Sequence, residues 1–203
     1  MSERGAPLTV YIVDDDPSVR DSLSLLLSLS GHATAVFASA GDFLAAARDD
    51  WAGCAIVDIR MPGMDGIALL AAMKERGLAL PVVIVTAHGD VASARAAFRG
   101  DAVDFLEKPF DEATLLAAVE AGFERERRRL AAGQEERRRN ASLESLSARE
   151  REVLDELLQG LHNRDIATRL GISPRTVEVH RARILAKLGA RNAVDLIRLL
   201  NRP

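Results

Sequence analysis

The sequence predicts an α/β domain with a parallel five-stranded sheet, followed by a small all-helical domain. In the first part of the chain, short apolar runs that are typical of buried strands alternate with segments whose apolar residues recur at helical spacing. Such alternation favours a parallel sheet with helices on both faces. The last 60 residues lack strand-like runs and carry helix caps and glycine turns instead.

The strands and helices of the first domain follow one another in a regular order. The stretch MPGMDG is a loop by its proline and glycine content. The predicted strands are Leu8–Val13, Ala33–Phe37, Cys54–Asp58, Pro81–Thr86 and Asp104–Leu106. The predicted helices are Pro17–Leu29, Ala40–Arg48, Ile67–Arg76, Val91–Phe98 and a long helix from Asp111 onward.

The tail of the chain predicts four short helices. Ser147 and Glu150 form a capping box that starts the first of them, which ends at Gly160. The second covers Asn163–Leu170, and the fourth covers Asn192–Leu200. The third follows a glycine turn and begins with a serine cap and a proline. Two short helices joined by such a turn, the second of them basic, indicate a helix-turn-helix, with a plain helical bundle as the alternative.

Charge and composition narrow the function classes. Residues 1–123 carry a net charge of −9, whereas residues 124–143 and 144–203 carry +3 each, so the rear half is the candidate for nucleic-acid binding. The one cysteine, Cys54, rules out a disulfide framework and is expected to be buried. The chain shows neither a signal-peptide core nor an apolar run long enough for a membrane span. We therefore expect a cytoplasmic protein without a membrane partner.

Polar residues follow four of the predicted strands. Asp14 and Asp15 follow the first strand, Asp58 ends the third, Thr86 ends the fourth, and Lys108 follows the fifth. Because the carboxyl ends of parallel strands open onto one edge of a sheet, these side chains are expected to lie together. Carboxylates that converge in this way repel one another unless a cation lies between them. The sequence therefore predicts a Mg²⁺ site with Lys108 beside it.

This set of residues indicates phosphoryl chemistry. Asp58 stands alone at the centre of the edge and is the predicted nucleophile, which would form an acyl phosphate. Asp15 would bind the metal directly, and Asp14 directly or through water. Lys108 would neutralise the phosphoryl oxygens, and the Thr86 hydroxyl would donate to one of them. Asp16 is expected only to cap the following helix.

These positions resemble the receiver domain of two-component response regulators, over residues 8–123. The resemblance implies a flavodoxin-like (βα)5 fold, phosphorylation by a histidine kinase, and Mg²⁺ or Mn²⁺ as the cofactor. It further implies that the backbone carbonyl of Arg60 binds the metal, that the Lys108–Pro109 peptide is cis, and that Phe105 is the switch residue. Phe105 lacks the hydroxyl that many members carry there. His88 belongs to the same resemblance and is expected to be a loop residue without chemistry.

The stretch from LSAREREVL to ISPRTVEVHRARILAKLGARN resembles the LuxR/NarL-type DNA-binding domain, and both domains resemble the FixJ branch most. The resemblance implies a transcriptional regulator rather than an enzyme. Its partners would be double-stranded DNA and RNA polymerase. Because the output domain is small, tight binding is expected to need a homodimer on paired half-sites, formed on phosphorylation.

One face of the third tail helix is predicted to read DNA. At about 100° per residue, Val177, Ile184 and Leu188 share the core face. On or beside the opposite face, Val179 could touch a thymine methyl group, and Glu178 could accept from a cytosine amino group. The basic side chains would mainly meet phosphates. The predicted DNA-binding residues are Arg175, Thr176, Glu178, Val179, Ala182, Arg183 and Lys187.

The predicted domains are a receiver at residues 1–123, a charged linker at 124–143 and the helix-turn-helix domain at 144–203. The linker would be either a solvated extension of the last receiver helix or a flexible tether, and a coiled coil is not expected. Three other functions are compatible with parts of the sequence. They are a hydrolase with Asp14 as nucleophile and Asp16 as acid, a receiver that only docks to proteins, and an output domain that binds RNA, whose narrow major groove disfavours helix readout.

Overall fold

The computed structural model describes residues 8–87 and 91–200, and the predicted order of strands and helices is confirmed. Most element ends differ from the predicted ones by no more than two residues. The strands are β1 (Thr9–Val13), β2 (Ala33–Phe37), β3 (Gly53–Asp58), β4 (Val82–Thr86) and β5 (Asp104–Glu107). The helices are α1 (Pro17–Leu29), α2 (Ala40–Ala46), α3 (Gly66–Glu75), α4 (Val91–Arg99), α5 (Glu112–Glu144), α6 (Ala148–Leu158), α7 (Asn163–Leu170), α8 (Pro174–Leu188) and α9 (Ala193–Leu200).

The five strands form one parallel sheet in the order β2-β1-β3-β4-β5. Val13, at the end of β1, pairs with Phe37 on one side and with Val57 on the other, and Thr86 pairs with Glu107. The carboxyl ends of all five strands therefore lie at one edge of the sheet. The strand order reverses direction at β1 and β3, which is where open sheets of this kind place their sites.

Apolar layers cover both faces of the sheet. One layer includes the aromatic group of Tyr11, Phe43 and Trp51, in which Tyr11 stacks on Trp51 with ring centroids 4.2 Å apart. The other layer lies under α1 and α5 and includes Cys54, which is fully buried as predicted. A Cβ at Gly122 would come 2.4 Å from the Cys54 Sγ atom, so α5 packs closely on β3 at this glycine. Burial raises the pKa of the Cys54 thiol to about 12.

Helix α5 decides between the two predicted forms of the linker. It runs without a break for 33 residues, so residues 124–143 are a helical extension of the last helix of the α/β domain. The chain divides into two compact units within this helix, Met1–Leu130 and Ala131–Pro203. Glu126 in this helix is fully buried, and Arg129 donates to both of its carboxylate oxygens at 2.7 Å.

The second unit contains the predicted helix-turn-helix. Helix α6 begins with the complete capping box of Ser147 and Glu150. Helix α7 ends at Gly171, whose φ of 65° is left-handed, and Ser173 then caps α8. The core of this unit is apolar and contains Val153, Ile166, Val177, Ile184 and Leu196. Among the described residues, no helix is both long and apolar enough to cross a membrane.

Candidate functional site

The carboxyl edge of the sheet brings together the residues that the strand ends predicted. Asp14 is 2% exposed, Asp58 is 6% exposed and Thr86 is fully buried. The burial of each side chain follows from its position, because a polar residue at the end of a buried strand lies under the loops of this edge. A buried carboxylate needs a partner, since an unpaired buried charge is costly.

Lys108 provides that partner for both buried carboxylates. Its ammonium lies 2.8 Å from Asp14 Oδ2 and 2.7 Å from Asp58 Oδ1. The backbone N–H of Lys108 donates to the Thr86 carbonyl at 2.7 Å, which ties the segment after β5 to the end of β4. The Lys108–Pro109 peptide is cis, as the resemblance implied. The ammonium is thus the cation between Asp14 and Asp58 in this structure.

Backbone groups hold the remaining oxygens of the two buried carboxylates. Asp58 Oδ2 accepts from the N–H of Arg60 at 2.6 Å, and Asp14 Oδ1 accepts from the N–H of Asp16 at 2.9 Å. Asp16 caps α1 as predicted, because its side chain accepts from the N–H of Ser18 at 2.8 Å. Both buried carboxylates are therefore held in fixed orientations.

Burial and hydrogen bonding shift the pKa values of the central pair. Burial raises the pKa of the Asp58 carboxyl above its ordinary value, and the hydrogen bond from Lys108 opposes that effect only in part. Burial by itself would lower the pKa of Lys108, but the hydrogen bonds to Asp14 and Asp58 outweigh it and raise that pKa. Lys108 therefore stays cationic across the physiological range.

The residues at this edge fit a hard divalent cation in part. Among the described residues, no three His, Cys, Asp or Glu side chains form a ready metal cage. Mg²⁺ does not need one, because it usually keeps several waters and takes only one or two carboxylates. Asp15 is exposed, and no described residue donates a hydrogen bond to its carboxylate. The carboxylate oxygens of Asp14, Asp15 and Asp58 thus suit Mg²⁺.

The residues around this edge include the predicted switch position. Phe105 is half-buried on β5, pairs with Ile84 of β4, and packs against the apolar layer of Tyr11. It therefore lies on the strand next to the one that ends in Thr86. His88, expected to be a loop residue, lies outside the described residues.

Helix α8 exposes the face predicted to read DNA. Val177 and Ile184 are fully buried and Leu188 packs against the same core, which confirms the predicted core face. Val179 is 43% exposed, so its apolar side chain is accessible to a partner. Thr176 is half-buried and its hydroxyl lies 2.8 Å from that of Ser173. The other exposed residues of the predicted set are Arg175, Glu178, Ala182, Arg183 and Lys187.

Lys187 differs from the rest of that set because the structure gives its ammonium internal partners. It donates to the Glu150 carboxylate at 2.7 Å and to the Ser145 carbonyl at 2.9 Å. Glu150 is 3% exposed, and the hydrogen bond from Lys187, followed by that from the Ser147 N–H, lowers its pKa to about 2. The phosphate contact predicted for Lys187 would require this ion pair to open.

Sequence reasoning missed two contacts. The Lys187–Glu150 pair spans 37 positions, and no local pattern announces it. Arg20 received no role, yet its Nη1 donates to the backbone carbonyl of Asp14 at 2.6 Å. The only available signal was one arginine in the first turns of a helix that follows an acidic cluster.

Both halves of the chain match known protein families. Residues 10–120 match the family described as response regulator receiver domain, and residues 144–200 match bacterial regulatory proteins of the luxR family. The transcriptional regulatory protein FixJ of Azorhizobium caulinodans is 44% identical over 195 residues, which cover 95% of this chain and 91% of the relative.

Two solved structures resemble the whole chain. The response regulator StyR, solved at low resolution, is 39% identical with a TM-score of 0.85, and the match covers 96% of this chain and 98% of StyR. Full-length FixJ from B. japonicum is 40% identical with a TM-score of 0.60, and the match covers 96% of each chain.

Proposed function

This chain belongs to the two-component response regulators that control transcription through a LuxR-type DNA-binding domain, and on that basis we propose that Asp58 is its phosphoryl acceptor. The observation that carries the proposal is the contact between Lys108 and Asp58 at 2.7 Å, with Thr86 at the same edge. Asp58 is the carboxylate at the centre of the edge, and a fixed cation beside it can receive the charge of a transferred group.

The reaction needs few groups from the protein. An Asp58 oxygen attacks the phosphorus of the donor, the bond from phosphorus to the donor's leaving group breaks, and an acyl phosphate remains. Lys108, released from its bridge, pairs with the phosphoryl oxygens, and the Thr86 hydroxyl donates to one of them. The donor is a phosphorylated histidine of a sensor kinase, the partner that the receiver domain implies.

Receiver domains in general bind Mg²⁺ at their phosphorylation site. For this chain we assign Mg²⁺, or Mn²⁺, to the carboxylates of Asp14, Asp15 and Asp58 and to the backbone carbonyl of Arg60. The cation would supply positive charge that offsets the negative charge of the phosphoryl group. The exposed carboxylate of Asp15 supports this assignment, because it adds an available oxygen donor beside the two buried ones.

The acceptor can be identified by mass spectrometry. We expect the protein incubated with acetyl phosphate and Mg²⁺ to gain one alkali-labile phosphoryl group, and Asp58→Asn to gain none. Asp49→Asn, at an exposed position, is the matched control and should label as the wild type does. Robust alkali-labile labelling of Asp58→Asn would contradict the assignment, and a label mapped to Asp14 would support the hydrolase alternative.

For the output domain we propose double-stranded DNA as the ligand, read by the exposed face of α8. Val179 and Glu178 would contact base edges, and Arg175 and Arg183 would contact phosphates, with Ala182 allowing close approach. Thr176, half-buried at the start of α8, would contact the backbone of the DNA. The exposure of Val179 supports this assignment, because an accessible apolar side chain can contact the methyl group of a thymine.

Phosphorylation would control this binding by favouring a homodimer. Movement of Thr86 and Lys108 toward the phosphoryl group would shift β5 and α4, with Phe105 turning inward. Two bound copies would then meet paired half-sites, where RNA polymerase is a further partner. A protein that works on bacterial DNA acts in the cytoplasm, which is where we place it, and any self-dephosphorylation would be incidental to this role.

A further inference from the structure

Arg20 is a guanidinium at the edge of the candidate metal site to which the proposed chemistry assigns no role. It lies in α1, six positions after Asp14, and is half-buried. Its Nη1 donates to the Asp14 carbonyl at 2.6 Å, a charge-assisted hydrogen bond, which is stronger than a neutral one. The bond goes to the backbone, so Arg20 does not neutralise the Asp14 carboxylate directly.

That bond completes the set of partners around Asp14. The Asp14 N–H donates to the Phe37 carbonyl at 3.2 Å, and its two carboxylate oxygens accept from Asp16 and Lys108. Because Asp14 is only 2% exposed, water has little access to replace a lost partner. The remaining polar group of Asp14, its backbone carbonyl, accepts the hydrogen bond from Arg20.

The same carbonyl belongs to the peptide that joins Asp14 to Asp15. A peptide unit is planar, so fixing its oxygen fixes the plane and the direction in which the chain enters Asp15. The Asp15 carboxylate has no described donor of its own, so its position depends on its backbone. Arg20 therefore acts on both members of the acidic pair through one hydrogen bond.

We infer that Arg20 is a positioning residue for the metal site, an inference that rests on the proposed function. It holds the Asp14–Asp15 peptide in the orientation that lets both carboxylates meet Mg²⁺. Partners behind the ligands of a metal typically change its affinity by about 10-fold to 100-fold when they are removed. The charge of Arg20 acts in the opposite direction, because a cation near the site repels Mg²⁺.

Removal of Arg20 should weaken Mg²⁺ binding if its hydrogen bond matters, and should tighten Mg²⁺ binding if only its charge matters. In Arg20→Met the side chain keeps an unbranched apolar stem but loses both the donor and the charge. We expect the dissociation constant of Mg²⁺, measured by calorimetry on the unphosphorylated full chain, to rise about tenfold. Arg48→Met removes an exposed arginine in the segment after α2 and is the matched control, for which affinity should stay within twofold of the wild type (roughly the expected effect of a screened surface charge).

Two more variants separate a loss of Mg²⁺ affinity from a general loss of stability. Arg20→Lys can still donate to the carbonyl and should retain most of the affinity, whereas Arg20→Gln, with a shorter side chain, should lose it. Thermal unfolding without Mg²⁺ reports any general loss of stability, which would not by itself change the dissociation constant of the folded protein. Unchanged or tighter Mg²⁺ binding by folded Arg20→Met, or by Arg20→Gln if the former does not fold, would overturn the inference. Labelling of Asp58 tests the proposed function separately.

Discussion

The ammonium of Lys187 lies 2.7 Å from the carboxylate of Glu150, which joins the last turn of α8 to the first turn of α6. Lys187 also donates to the Ser145 carbonyl, in the short turn between α5 and α6. One side chain thus holds the proposed reading helix against the start of the output domain. The ammonium of Lys187 would have to leave Glu150 before it could meet a DNA phosphate.

Loss of this contact should lower the stability of the output domain and should leave the salt dependence of DNA binding unchanged. In Lys187→Met the carboxylate of Glu150 stays buried and loses its cation, so we expect the output domain to unfold several degrees earlier by circular dichroism. The slope of DNA affinity against salt concentration should match that of the wild type. In the comparison variant Arg183→Met, which removes an exposed cation, the slope should fall by about one with little change in unfolding temperature. A reduced salt slope for Lys187→Met would show that Lys187 contacts a DNA phosphate.

The lowered pKa of Glu150 gives the output domain a specific sensitivity to acid. A carboxyl whose pKa is about 2 when folded and 4.5 when unfolded stabilises the fold fully above pH 4.5. That contribution declines as the pH falls through this window toward 2. The difference in unfolding free energy between the wild type and Glu150→Gln should therefore be constant from pH 7 to about 5.5 and shrink below about 4.5. Urea titrations at several pH values measure it, and a difference that grows on acidification would contradict the pairing.

Base readout should depend on Val179 and Glu178. Val179→Ala or Glu178→Ala should change the preferred base at one position of each half-site, at a cost of about 1–3 kcal/mol for the original site. Binding-site selection from a random duplex pool gives the consensus for each variant. If both variants select the wild-type consensus, this face of α8 does not read the bases.

Removal of Arg129 alone should lower the free energy of unfolding more than replacement of both Glu126 and Arg129 by apolar residues. Arg129→Met leaves the fully buried Glu126 carboxylate without its cation and should destabilise the α/β domain by about 3 kcal/mol, near the lower end of the cost for breaking a buried pair, since Arg129 is partly exposed. Adding Glu126→Leu should recover much of that loss, because an apolar pair avoids the desolvation cost. Arg127→Met, whose partners Glu120 and Glu124 are exposed, should cost less than about 1 kcal/mol. Urea unfolding followed by Trp51 fluorescence would compare the three variants, and equal losses in both single variants would contradict this ranking.

Phosphorylation should increase both the mass of the particle in solution and the affinity for DNA. The shift requires a few kcal/mol of differential stabilisation, which one or two charge-assisted hydrogen bonds from Lys108 and Thr86 can supply. Sedimentation of the wild type with and without acetyl phosphate and Mg²⁺ measures the mass, and Asp58→Asn under the same conditions is the control. Identical mass distributions and DNA affinities in both states would argue against phosphorylation-driven dimerisation.

Much of this protein follows from local sequence signals. The alternation of apolar runs and helical stripes determined the order of strands and helices, because burial of each apolar face requires a fixed period along the chain. The carboxylates at the ends of β1 and β3 could be placed at one edge, because parallel strands share a direction. Asp16 and Ser173 could be recognised as caps, because capping is a contact between residues two or three positions apart.

Tertiary structure alone decided which partners the charged side chains take. Lys108 reaches Asp14 across 94 positions, Lys187 reaches Glu150 across 37, and the burial of Glu126 depends on the packing of α5 against the sheet. Charged side chains are long and have several acceptors within reach in any local pattern, so sequence periodicity leaves their choice open. The choice follows from which carboxylate is buried and therefore gains most from a cation, and burial is known only when the elements have packed.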